Sequence, residues 1–428
     1  MSGPRLLVVV LAGRVVARVE RTRAGVLRLT YEQDARAVGD TPLSLSLPPT
    51  IGTFTGSAVG AFLWGLLPDN DRALRAIAST YGADARDPLS MLAVVGKDCA
   101  GAVQFCTPDD LEATLDREGT LEPLSDADIE MRLAQLRTDE DAGWLMPGEH
   151  WSLGGSQQKF ALRRTDQGWC DALGATATSH IVKPGIYRLT AQALLEHASM
   201  RAAAACAVDV AMTEYLPFKS ESAIVVTRFD RAVDDDGDLD RLHQEDLCQA
   251  LGVSEKYEDR GGPTPSDLIR LLRDHARTAE DASANVSRFV DGLVFNTVIA
   301  APDGHARNYA VLLDGDTVQL APIFDVSSGL AYTSRVGASG RLAMSIAGEF
   351  DPAAVSGSTW RRFANENRLD PDGVLDRVHR YAATIPGAMR DAIAEVDDWD
   401  GNARMLADRL LPAVESHLDA VVRAAERG

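Results

Sequence analysis

An α+β fold of two lobes, the first rich in strands and the second helical, is what this sequence predicts. Strand-like runs open the chain and return between residues 145 and 239. From about residue 240 onward the apolar residues recur at helical spacing. The length of 428 residues, 45% of them hydrophobic, suffices for two or three domains or one large two-lobed one with a sizeable core.

The elements follow in order. "RLLVVVLAGRVVARVERTRAGVLRLTY" reads as three strands with turns at Ala12–Gly13 and Ala24–Gly25. "AVGAFLWGLLPDNDRALRAIASTYG" has helical spacing broken by Pro68, and residues 1–110 are expected to form a small N-terminal subdomain. "CTPDDLEATLDREGTLEPLSDADIE" is polar and turn-rich, so 111–144 is taken as a linker or helical connection. Residues 145–239 read as strands, "QKFALRR", "SHIVKPG" and "SAIVVTRFDRAV", around one Ala-rich helix, "TAQALLEHASMRAAAACAVDVA". Residues 240–428 read as an all-helical lobe, with "PSDLIRLLRDHART", "ANVSRFVDGLVFNTVIAA" and "RMLADRLLPAVESHLDAVVRAAE" as its clearest segments. A cleft is expected between the lobes.

Composition excludes several classes. The 43 basic and 63 acidic residues leave a formal charge of −20, against direct nucleic-acid binding, which needs Lys and Arg to neutralise phosphates. Five scattered cysteines without CxxC spacing suggest a reducing compartment, no disulfide framework and no zinc site. The apolar run Leu6 to Ala12 is short for a signal peptide and no run approaches a membrane span of about 18 residues, so a cytoplasmic protein without membrane contact is expected. "DDDGDLDRLHQE" resembles a calcium loop, but with Gly237 at the glycine position the first ligand would be Ala232, and the pattern fails.

The chemistry concentrates in "PDGHARNYAVLL". Asp303 and Asn308 stand five positions apart, the spacing protein kinases use for a proton-accepting Asp and a metal-holding Asn. Phosphoryl transfer is mostly positioning and charge neutralisation, so it needs one carboxylate at the attacking oxygen and other oxygens on a metal. Asp325 in "APIFDVSSG" matches the second metal-holding aspartate. By itself Asp-Gly is more simply a turn; the downstream Asp tips the reading toward function. Upstream, Gly154, Gly155 and Ser156 precede a strand and can let backbone N–H groups approach phosphates, although a plain glycine turn fits as well. Lys183 ends a strand where it could reach phosphates, and Glu196 on the next helix could hold it.

Together, "SLGGSQQKFAL", "HIVKP", "VTRFDR", "HQEDLCQALG", "DGHARN" and "APIFDVSSG", preceded by "TPLSLSLPP", "LLPDN" and "GKDCAGAVQF", occur in the order found in HipA-like serine/threonine kinase toxins. The chain resembles that family over nearly its whole length. The resemblance implies a two-lobed protein-kinase-like fold using ATP and Mg²⁺. It implies an ATP loop of Gly154, Gly155, Ser156, Gln157, Gln158 and Lys159, a phosphate-binding Lys183, and a hinge of Thr227, Arg228 and Phe229. It further implies Asp303 as catalytic base, His305 and Asn308 beside the nucleotide, Asn308 and Asp325 on magnesium, and Ser152 as an inhibitory autophosphorylation site. Implied partners are a helix-turn-helix antitoxin, a protein substrate in translation, typically an aminoacyl-tRNA synthetase, and DNA only through the antitoxin. The chain departs from the family at Ala300, Ala301 and Pro302, where Gly-Asn-Thr is common, at Arg307, often Lys, and at Thr227, commonly Glu. Two rivals stay open: a small-molecule phosphotransferase on the same fold, and a degenerate kinase acting as a scaffold for the antitoxin.

Overall fold

The structure, a computed structural model, describes residues 3–139, 142, 144–186, 189–234, 238–332 and 340–427. Gly237 of the acidic turn lies outside the described residues. The chain divides into two compact units. The first comprises 1–184, 216–254 and 311–318; the second comprises 185–215, 255–310 and 319–428.

The first unit opens as its alternation predicts. Leu6–Leu11 and Arg14–Arg21 form a hairpin over the Ala12–Gly13 turn, where Ala12 has φ 48° and Gly13 φ 75°. With Leu27–Tyr31, Thr53–Thr55 and Val103–Cys106 they make a five-stranded sheet in the order Thr53–Thr55, Leu27–Tyr31, Arg14–Arg21, Leu6–Leu11, Val103–Cys106. One face of it packs on the helices Ser57–Gly65 and Pro88–Val95 through Leu7, Val9, Phe62, Leu92 and Phe105. A second sheet of six strands runs Thr213–Phe218, Glu221–Thr227, His180–Lys183, Phe160–Thr165, Gly168–Gly174, Gly119–Leu124.

The polar stretch after Cys106 is more ordered than a linker. Gly119–Leu124 pairs antiparallel with Gly168–Gly174 as the sheet's edge. Asp126–Thr138 is a helix closed by a capping box between Ser125 and Asp128. An edge strand needs no alternating apolar face to be held, because the ladder itself is backbone. Hence its mostly exposed residues gave no strand signal.

The second unit is built of helices: Gln192–Ala205, Pro265–Asp274, Ala279–Val298, Gly357–Glu366, Pro371–Ala394 and Asn402–Ala425. Thr264, Thr278, Ser356 and Asp370 cap four of them through side-chain oxygens on backbone N–H groups. The Ala-rich helix Gln192–Ala205, read from sequence with the strands around it, belongs to this unit and packs on Pro371–Ala394. It is buried on nearly every side, and its small alanines permit that close packing. Strands also interrupt the region expected to be wholly helical: Gln244–Asp246, Ala310–Asp314 and Thr317–Leu320 form a three-stranded sheet. All five cysteines are free and buried. Among the described residues no helix is long and apolar enough to cross a membrane.

Candidate active site

The loop after Ala279–Val298 is where the local sequence dictates most. Ala300 turns the chain with φ 51°, and the amides of Ala300 and Ala301 donate back to Thr297 and Asn296 carbonyls. Asp303 follows. Its carbonyl accepts from the His305 amide at 2.9 Å and from Asn308 Nδ2 at 2.7 Å, so the five-residue spacing closes one compact turn. That bond uses the Asn308 amide nitrogen and leaves the carbonyl oxygen as its possible metal ligand. Tyr309 anchors the far end, its hydroxyl meeting Asn296 Nδ2 at 2.9 Å and its ring lying edge-on to Phe289.

Asp303 keeps a side chain 55% exposed, while His305 beside it is buried. His305 Nε2 is 3.6 Å from Asp303 Oδ1. Burial pushes the imidazole below its ordinary value, and the Asp303 carboxylate pulls the other way. Tyr257, 46 residues earlier, donates its hydroxyl to Asp303 Oδ1 at 2.7 Å and stands edge-on to the His305 ring. Nothing in the spacing of "SEKYEDRGGP" announces this tyrosine.

The Asp325 loop is tied to the Asp303 loop. Ser328 donates its hydroxyl to the Ile299 carbonyl at 2.8 Å, and the Gly329 amide donates to Ala300. A Cβ at Gly329 would stand 3.1 Å from that carbonyl, so glycine suits the close approach. Asp325 is half-buried with φ 59°, a left-handed backbone that Asp tolerates better than most residues. Asn308 and Asp325 thus offer two hard oxygen donors on neighbouring loops. That fits a magnesium ion, which is held by one or two protein oxygens plus substrate phosphates rather than by a full protein cage. Among the described residues no group of three or more His, Cys, Asp or Glu is placed to hold a metal unaided.

In the first unit, the 152–159 segment is closed upon itself and upon 65–70. Ser152 is buried; its hydroxyl donates to the Leu66 carbonyl at 2.6 Å and its amide to the Asp98 carbonyl. Gly155 has φ 90°, and its carbonyl accepts from the Asp69 amide. The Ser156 carbonyl accepts from Asn70 Nδ2, and Gln158 donates to the Asp139 carbonyl. Lys159, also buried, donates to the Gly154 carbonyl at 2.6 Å. Gln157 is half-buried.

Lys183 is buried at the end of its strand, opposite Ile224. Glu196 is buried as well, on a helix of the other unit. Thr227 pairs with His180 across the sheet, and Phe229 is half-buried. Arg228 is committed elsewhere. Its guanidinium grips Asp230 through Nε–Oδ1 at 3.0 Å and Nη2–Oδ2 at 2.8 Å, and reaches Thr178 and the Cys99 carbonyl. Asp98 sits among Arg228, Arg231 and Arg241, all buried. The Arg228 amide donates to the Ser179 carbonyl at 3.0 Å, so neither its side chain nor its backbone N–H is left for a nucleotide. This ion cluster joins "GKDCAG" to "VTRFDR", two motifs more than 120 residues apart in sequence.

Comparison with known proteins shows the family. Residues 7–106 match the HipA N-terminal domain and residues 151–389 the HipA-like C-terminal domain. The chain is 32% identical over 392 residues to the "Putative kinase Y4mE" of Sinorhizobium fredii, covering 90% of each chain. It is 27% identical over 394 residues to the "Serine/threonine-protein kinase toxin HipA" of Shewanella oneidensis, covering 88% of this chain and 86% of that one. Its fold resembles that of the Shewanella oneidensis HipA solved with HipB and operator DNA, with TM-score 0.79, 24% identity, and 97% and 99% of the two chains covered. With both domain types present in order and a 32%-identical relative matched along nine-tenths of its length, the chain belongs to the HipA-like family.

Proposed function

We propose that this protein is a Mg-ATP-dependent serine/threonine protein kinase, acting as the toxin of a toxin–antitoxin pair. The observation that carries the reading is the closed Asp303–Asn308 turn, which leaves the Asp303 carboxylate open to solvent while orienting Asn308. Asp303 accepts the proton of the acceptor hydroxyl as its oxygen attacks the terminal phosphorus of ATP, and ADP leaves. Asn308 and Asp325 would hold magnesium, which would supply charge neutralisation at the phosphate oxygens. Lys183 serves the phosphates, 154–159 is the ATP loop and 227–229 the adenine-facing hinge, all in the first unit. Glu196 and His305, in the second, are further residues of the nucleotide site. Two relatives named as kinases support the reaction class.

The acceptor is a protein of translation such as an aminoacyl-tRNA synthetase, and Ser152 is the inhibitory autophosphorylation site. A helix-turn-helix antitoxin is the partner and DNA is met through it; the HipA–HipB–operator complex of the Shewanella neighbour and this chain's charge of −20 support that division of labour. The test is phosphoproteomics of cells expressing the wild type and Asp303→Asn, with a labelled-ATP assay alongside. Label on protein in the wild type alone is expected. Label only on small molecules would favour a metabolite phosphotransferase, and nucleotide binding without transfer would favour a scaffold.

A further inference from the structure

Tyr257 belongs to a tightly built turn. Its carbonyl accepts from the amides of Arg260 and Gly262, and its amide donates to Glu255 Oε1 at 3.0 Å. A Cβ on Gly262 would fall 2.7 Å from the Tyr257 carbonyl oxygen, so the turn has no slack there. Glu258, the next residue, accepts from both the amide and the hydroxyl of Ser345, each at 2.6 Å. The phenol ring has the Arg260 guanidinium 4.8 Å and the Lys256 ammonium 5.4 Å from its centroid, and the His305 ring edge-on at 5.1 Å.

From this mount the hydroxyl reaches Asp303 Oδ1 at 2.7 Å. His305 Nε2 faces that same oxygen. The Asp303 side chain nevertheless stays more than half exposed. The hydrogen bond and the imidazole close to Oδ1 restrict how this carboxylate can turn. A base must lie within hydrogen-bond reach of the proton it takes, and a misplacement of about 1 Å can cost about a hundredfold.

We propose that Tyr257 is a positioning residue for the base: its hydroxyl pins Asp303 Oδ1 so that Oδ2 receives the proton of the acceptor hydroxyl. The proposal rests on the reading of Asp303 as that base. The test follows transfer from γ-labelled ATP to the full-length chain and to casein, at varied ATP, for wild type, Tyr257→Phe and Asp303→Asn. Tyr257→Phe keeps the ring and removes only the hydrogen bond. It is expected to lower kcat by about tenfold, as loss of one hydrogen bond to a charged group would. The KM for ATP should stay within about twofold and the melting temperature near the wild type's. A wild-type kcat in Tyr257→Phe, with Asp303→Asn inactive, overturns the positioning role and leaves the base assignment standing. Loss of ATP affinity and melting temperature together with kcat also overturns it, in favour of a structural role. Wild-type transfer by Asp303→Asn would remove the base assignment and this proposal with it.

Discussion

The hydroxyl of Ser152 donates to the carbonyl of Leu66, 86 residues earlier in the chain, at 2.6 Å, inside a pocket from which solvent is excluded. A phosphate on Ser152 carries a charge of about −1.5 to −2 and cannot remain there. Incubation with Mg-ATP is expected to phosphorylate Ser152, to release 151–159 and to weaken ATP binding. Mass spectrometry combined with limited proteolysis reads both events: cleavage within 152–159 should track the modified fraction. Ser152→Ala should cost about 1 kcal/mol, and Ser152→Asp several times that, because it buries a charge. A phosphorylated chain as protease-resistant as the unmodified one would contradict the release.

Magnesium dependence checks the metal assignment. At 100 times Kd, Mg-ATP should stabilise the wild type by about 2.7 kcal/mol. Asp325→Ala should remain folded and lose most of the magnesium-dependent part in a thermal-shift titration. An equal shift with and without magnesium in both proteins would count against Asn308 and Asp325 as ligands.

Asp98 and Asp230 should make the first unit acid-sensitive. Burial alone would raise both carboxyls, but Arg231, Arg241 and Arg228 outweigh it at Asp98, and Arg228 and Arg231 hold Asp230 down to about 2. Folded values below the unfolded ones mean stability that is present above about pH 4 and lost as pH falls toward 2. Asp98→Asn should cost roughly 3–5 kcal/mol at pH 7, since it strands buried arginines. Urea unfolding at pH 7 and pH 3 should show the gap to wild type narrowing in acid.

Glu245 works in the opposite direction. Burial pushes its carboxyl up to about 8, although the Leu45 amide donates to it at 2.7 Å. The folded state therefore keeps a proton that the unfolded chain releases, and stability is lost as pH rises from about 4.5 to 8. Glu245→Gln should flatten this slope, so melting temperatures of the two proteins should diverge between pH 5 and pH 8, with the variant higher at pH 8.

Ala300 holds a left-handed conformation at φ 51°, which an L side chain opposes by roughly 1 kcal/mol. Ala300→Gly should stabilise the protein by about 0.5–1 kcal/mol with transfer activity retained, measured by denaturant midpoint and labelled-ATP assay. Destabilisation would mean that the methyl group packs usefully against the loop.

The sequence by itself determined whatever depends on near neighbours. The hairpin at Ala12–Gly13 follows from alternation and a two-residue turn, and the helices of the second unit from apolar period and caps such as Thr264 and Thr278. The Asp303–Asn308 turn follows from a bond spanning five residues. These are short-range effects, and spacing records them. Tertiary structure alone decided that Tyr257 sits on Asp303, that Ser152 lies under Leu66, and that Asp98 gathers three arginines more than 100 residues away. A charged residue in isolation belongs in water, because burying it costs several kcal/mol. Only when the fold brings the opposite charges together does burial become tolerable, and no periodicity in the chain encodes that meeting.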